Sequence, residues 1–133
     1  MILLDTHAWI WWVAEPDRLP GPARHAIAGS LEAGEPVRVS AISVWEVAML
    51  VARQRLELTL EVEEWIGRSE AAPEIVFVPV DNRIALSAVG LEDFAHRDPA
   101  DRIMVATAGV LGATVVTADA RMRAYGKVAT VWD

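Results

Sequence analysis

The sequence predicts an α/β fold with a mainly parallel sheet of about five strands flanked by helices in three layers. Short apolar runs of strand length alternate with longer segments of helical periodicity along the whole chain. The runs Met1–Leu4, Ile75–Val80 and Ala113–Thr117 are apolar nearly throughout, as parallel strands covered on both faces are. The length of 133 residues fits one domain, spanning 1–133, with no internal repeat, low-complexity tract or linker.

Each element has a local reason. Met1–Leu4 reads as a buried strand ending in Asp5, and Thr6–Ala14 as a helix broken near Pro16. Pro22–Ala33 is a second helix with Gly34 at its end, and Val37–Ser40 a second strand. Ile42–Arg55 is a long, almost wholly apolar helix, and Leu60–Arg68 a polar-faced one. Ile75–Val80 is the third strand and Asp81–Val89 the helix after it, with Asp81 as its N-cap. Pro99–Leu111 is a helix closed by Gly112, and Ala113–Thr117 is the fourth strand. Asp119–Tyr125 is a short helix, and Val128–Trp132 the last strand.

Composition narrows the function. Hydrophobic residues are 53% and charged residues 23%, a globular balance. With no cysteine there is no disulfide framework, thiol nucleophile or Cys-based zinc site. The longest uncharged stretch, Ile103–Ala118, is too short and too glycine-broken to span a bilayer, and the N-terminus lacks a basic leader. A cytoplasmic protein with no membrane partner is the expectation. The net charge of −7 counts against nucleic-acid binding unless an acidic site holds a cation. No G-x-S-x-G elbow, P-loop or G-x-G-x-x-G is present, which argues against serine hydrolases, P-loop NTPases and dinucleotide enzymes. His7, His25 and His96 lack histidine or cysteine partners at helical spacing and read as surface or packing residues.

In an open α/β sheet, ligands bind beyond the carboxyl ends of the strands, so the residues there matter most. Asp5 and Asp119 both stand at such ends. Each could equally be a helix N-cap. Glu46 is the only acid between Glu35 and Glu57 and lies in an apolar helix, so it needs either an arginine such as Arg53 or a cation. Asp98 precedes Pro99 and suits an N-cap. Asp101 falls in the first helical turn, on one line with Val105 and Ala108, so its carboxylate points toward the core side and wants a cation or a donor.

Taken together, LLDTHAWIW, SVWEVAML, RDPADRIMVATA and VVTADARM resemble the PIN-domain ribonucleases, and within them the VapC-type toxins of bacterial toxin–antitoxin pairs. The likeness runs in order from Met1 to Trp132. It implies a parallel sheet in the order 3-2-1-4-5 and a metal-dependent endoribonuclease. It also implies an acidic quartet of Asp5, Glu46, Asp101 and Asp119 holding Mg²⁺ or Mn²⁺. Asp98 matches a further acid of one branch, and Thr6 and Thr117 match small hydroxyl residues beside the first and last acids. Where the family often has an aromatic residue three places after the last acid, this chain has Met122. The resemblance further implies an RNA substrate, a cognate antitoxin and a homodimer.

Electrostatics favours a cation independently. Four ionised carboxylates about 5 Å apart repel by roughly 3 kcal/mol per pair at an effective dielectric near 20. Oxygen donors select hard ions such as Mg²⁺ or Mn²⁺. Arg24, Arg97, Arg102 and Arg121 are candidate phosphate contacts, and Trp11, opposite the arc of Trp9, Ile10, Trp12 and Val13, suits an interface. The alternatives are a non-catalytic α/β interaction module, whose acids only cap helices and pair with arginines, and another Mg²⁺-dependent phosphotransfer protein.

Overall fold

The computed structural model describes residues 1–133. Five strands carry the fold: β1 (Ile2–Leu4), β2 (Val37–Ser40), β3 (Ile75–Val78), β4 (Thr114–Val116) and β5 (Thr130–Val131). All neighbouring pairs are parallel, in the order β3-β2-β1-β4-β5. That is the order the resemblance implies. The helices are α1 (Thr6–Ala14), α2 (Gly21–Glu32), α3 (Ala41–Ala52), α4 (Val62–Ala71), α5 (Asn82–Val89), α6 (Pro99–Leu111) and α7 (Ala120–Ala124).

Alternation along the strands builds the two faces. Leu3 and Val115, paired in register, join Met104, Val105 and Ala108 of α6 in one core cluster. Leu4 and Val116, the next pair, join Trp9, Ile27, Val47 and Trp65 in the other. β1 and β4, at the centre of the sheet, therefore bury side chains on both sides, which is why their sequences show no polar alternation.

Boundaries differ from the sequence reading where backbone chemistry intervenes. The third strand stops at Val78, because Pro79 has no N–H to continue the ladder. The long helix starts at Ala41, capped by the Ser40 hydroxyl, and ends at Ala52. Beyond it, Gln54 turns the chain in the left-handed region at φ 58°. The fourth helix runs to Ala71 instead of Arg68, and one 3₁₀ turn at Pro16–Arg18 follows the break after α1. α6 closes at Gly112, whose φ of 66° is a conformation that only glycine adopts without strain.

Candidate active site

The sheet order reverses at β1, and β1 and β4 stand side by side at that switch point. Asp5 leaves β1, and its N–H bonds the Val116 carbonyl at 3.1 Å, which fixes it against the end of β4. Asp119 follows β4 by three residues. Asp98 and Asp101 open α6, and Glu46 projects from the middle of α3. Asp5, Glu46, Asp98, Asp101 and Asp119 line one cleft of about 380 Å³, together with Thr6, His7, Trp11 and Met122.

Helix capping turns out to be compatible with a place in this cleft. One oxygen of Asp5 accepts the Ala8 N–H at 2.8 Å. One oxygen of Asp98 accepts from Ala100 at 2.9 Å, and one of Asp119 accepts from Arg121 at 2.8 Å and Met122 at 3.0 Å. In all three the bonded atom is Oδ1, so Oδ2 is free of backbone donors and the carboxylate is held in a fixed orientation. Asp81 makes the same bond to Ile84 at 2.9 Å but lies outside the cleft and is a cap alone.

Glu46 has no arginine partner. No cationic nitrogen lies within 4.0 Å of it, Arg53 included. Its Oε1 instead accepts from the Thr6 hydroxyl at 2.6 Å, and the Thr6 oxygen in turn lies 2.8 Å from the buried Ser43 hydroxyl. Thr117, also buried, accepts the Asp119 N–H at 3.0 Å through its hydroxyl oxygen, and its own hydrogen bond to Asp5 favours the ionised form of that carboxylate.

Burial is the main force on the charges here. It raises the Asp5 carboxyl above its ordinary value, against the opposing Thr117 and Ala8 hydrogen bonds, and Asp119 adds a smaller repulsion. Burial likewise raises Glu46, with repulsion from Asp101 and Asp98 added and the Thr6 bond opposing. Burial and then Asp98 raise Asp101, opposed by a hydrogen bond from His96. Burial and mutual repulsion thus raise Asp5, Glu46 and Asp101 together, against a weaker opposing pull from His7 on Asp5 and Glu46 and from His96 on Asp101.

Three side chains differ from the sequence reading. His96 is no bystander: its Nε2 hydrogen-bonds Asp101 Oδ2. The signal available was the spacing His96-x-Asp98-x-x-Asp101 around Pro99, which sets the histidine just before the helix that carries both acids. Arg102 is not free for phosphate, since its guanidinium donates to the carbonyls of Ala88 at 2.9 Å, Phe94 at 2.8 Å and His96 at 3.1 Å. It clamps the segment between α5 and α6 and so holds His96 in place. Trp11 is half-buried at the cleft, 5.8 Å from His7 and 5.7 Å from Trp132, with the Arg18 guanidinium 4.5 Å over its ring. The exposed tryptophan is Trp45, at 56%. Arg24 and Arg97 are exposed and do not line the cleft.

The PIN-domain family model matches residues 2–128. Ribonuclease VapC22 of Mycobacterium tuberculosis is 37% identical over 133 residues, covering 98% of both chains. FitAcB from Neisseria gonorrhoeae matches in structure with a TM-score of 0.63 and 27% identity, over 98% of this chain and 96% of that one. VapBC2 from Rickettsia felis, solved bound to a DNA fragment from its promoter, shares the fold with a TM-score of 0.71, 12% identity and complete coverage of both chains. The chain belongs to the PIN-domain family. Within that family it groups with the VapC ribonucleases.

Proposed function

We propose that this protein is the toxin of a toxin–antitoxin pair, a metal-dependent endoribonuclease that hydrolyses RNA phosphodiester bonds. Asp5, Glu46, Asp101 and Asp119 would hold the cation. The observation that carries this reading is the shared cleft of these four carboxylates, with Glu46 unpaired by any arginine or lysine. A set of carboxylate oxygens at which burial and repulsion raise three acids fits a hard divalent ion, Mg²⁺ or Mn²⁺. When bound, such an ion supplies Lewis acidity for water activation and neutralises charge on the scissile phosphate.

The chain's own residues do the rest. The caps on Asp5 and Asp119 orient their carboxylates without further reorganisation. Thr6 fixes Glu46, and Thr117 positions Asp119 and Asp5. Asp98 belongs at the rim as an assisting acid.

An antitoxin partner is proposed with the likeness to the VapC ribonucleases. A homodimer is supported by the apolar side chains left on α3 and α5, where Trp45, Leu86 and Val89 are 56%, 75% and 83% exposed. No helix is long and apolar enough to cross a membrane, and a cytoplasmic location is proposed with the toxin reading. The interaction-module alternative needs Glu46 in an ion pair, and it has none. Incubation of a mixed RNA pool with the protein tests the reading. Cleavage leaving 5′-phosphate and 3′-hydroxyl ends, abolished by EDTA and by Asp101→Asn with the fold retained by circular dichroism, is the expected result. EDTA-resistant cleavage would overturn it.

A further inference from the structure

The donors that already approach one another are not all carboxylates. One ligand atom each from His96, Asp98 and Asp101 lies within 4.8 Å of the others. Donors on one ion with bonds of about 2.1–2.2 Å stand about 3 Å apart when adjacent and about 4.3 Å when opposite, so His96 Nε2 and Asp101 Oδ2, now hydrogen-bonded to each other, would part by a fraction of an ångström to admit the ion. Asp98 uses only Oδ1 in capping α6. His96 is only 18% exposed in its side chain and is held from behind, because Arg102 bonds its carbonyl and Phe94 meets its ring edge-on at 6.1 Å. The imidazole therefore points at Asp101 by construction of the α5–α6 segment.

We propose that His96 is a nitrogen ligand of the cleft's cation, shared with Asp98 and Asp101, and that this nitrogen makes the site favour divalent transition ions over Mg²⁺. The proposal rests on the metal-dependent reading above and adds a donor to it. Mg²⁺ takes oxygen donors almost alone, whereas imidazole strengthens binding of first-row transition ions.

The hydrogen-bond partners also define what loading changes. Arg121 Nη1 stands 2.9 Å from both ring nitrogens of His96, and Nε2 also bonds Asp101. A cation at Nε2 would take the place of both the Asp101 hydrogen bond and the adjacent Arg121 guanidinium, and so would release that exposed guanidinium beside the cleft.

Pulsed electron paramagnetic resonance of the full chain, loaded with one equivalent of Mn²⁺, tests this without reference to activity. The expected spectrum shows coupling to a coordinated imidazole nitrogen that persists in His7→Gln and vanishes in His96→Gln. Calorimetry on the same proteins should show Mn²⁺ affinity falling by roughly ten- to a hundredfold in His96→Gln, the size even an outer-sphere partner can carry, with a smaller change for Mg²⁺. Carboxylate-dependent Mn²⁺ binding without nitrogen coupling would overturn the role of His96 and leave the metal site standing. Absence of Mn²⁺ binding, or binding unaffected by Asp101→Asn, would overturn both.

Discussion

Replacing Glu46 by glutamine separates a metal-binding carboxylate from a structural one. The carboxylate is half-buried, accepts one hydrogen bond from Thr6 at 2.6 Å, and is repelled by Asp101 and Asp98. Glutamine keeps an oxygen for Thr6 but loses the charge-assisted part of that bond, on the order of 1–2 kcal/mol. Against this, removing the charge relieves the repulsion from Asp101 and Asp98 and lifts the desolvation penalty that dominates at this residue. These gains offset the weakened Thr6 bond, so the metal-free variant should be at least as stable as wild type, with a Tm equal to or above it. A cation that binds only the native state adds about 2.7 kcal/mol at a hundredfold excess over Kd, and this gain should shrink or vanish in the variant. Thermal melts of both proteins with and without Mg²⁺ measure the two differences. If the metal-free variant instead loses roughly 3–5 kcal/mol and keeps its metal response, Glu46 neutralises a buried cation and the reasoning fails.

Asp5, Glu46 and Asp101 are raised in the folded protein, so the native state binds more protons than the unfolded one between the ordinary carboxylate range near pH 4 and their raised values. Their joint contribution is therefore most favourable in acid and becomes a penalty as pH rises through that window. Melts across pH should show this slope in metal-free wild type and a reduced slope in Glu46→Gln. Arg102→Met removes donors to the Ala88, Phe94 and His96 carbonyls, and should cost about 2–4 kcal/mol while speeding amide exchange at residues 90–97. Gly112→Ala forces a side chain into φ 66° and should cost roughly 1–2 kcal/mol in urea denaturation with no change in metal affinity.

β1 and β4 were legible because apolar runs in a two-sided parallel sheet advertise themselves, and Pro99 and Gly112 bracket α6 in the sequence, whereas the order of the strands came from the family resemblance alone. The acids at strand ends were legible for the same topological reason. What the residues alone left open was the choice between cap and cleft for Asp5, Asp98 and Asp119. The structure removes that choice, since a carboxylate has two oxygens and capping engages one. The partner of Glu46 was not legible, because Thr6 is 40 positions away and meets it only through packing of α1 against α3. His96 and Arg102 were misread for one common reason. Both act through the irregular segment between α5 and α6, whose path is set by backbone carbonyls and carries no periodic signal.

Whether the clustered carboxylates form one cation site is tested most directly by calorimetric titration of Mn²⁺ into wild type and Asp5→Asn, the substitution that keeps an acceptor for the Ala8 N–H and removes only the charge. The account predicts saturable binding to wild type that is weakened at least tenfold in the variant, with the fold unchanged. Equal affinity in the two proteins would contradict it.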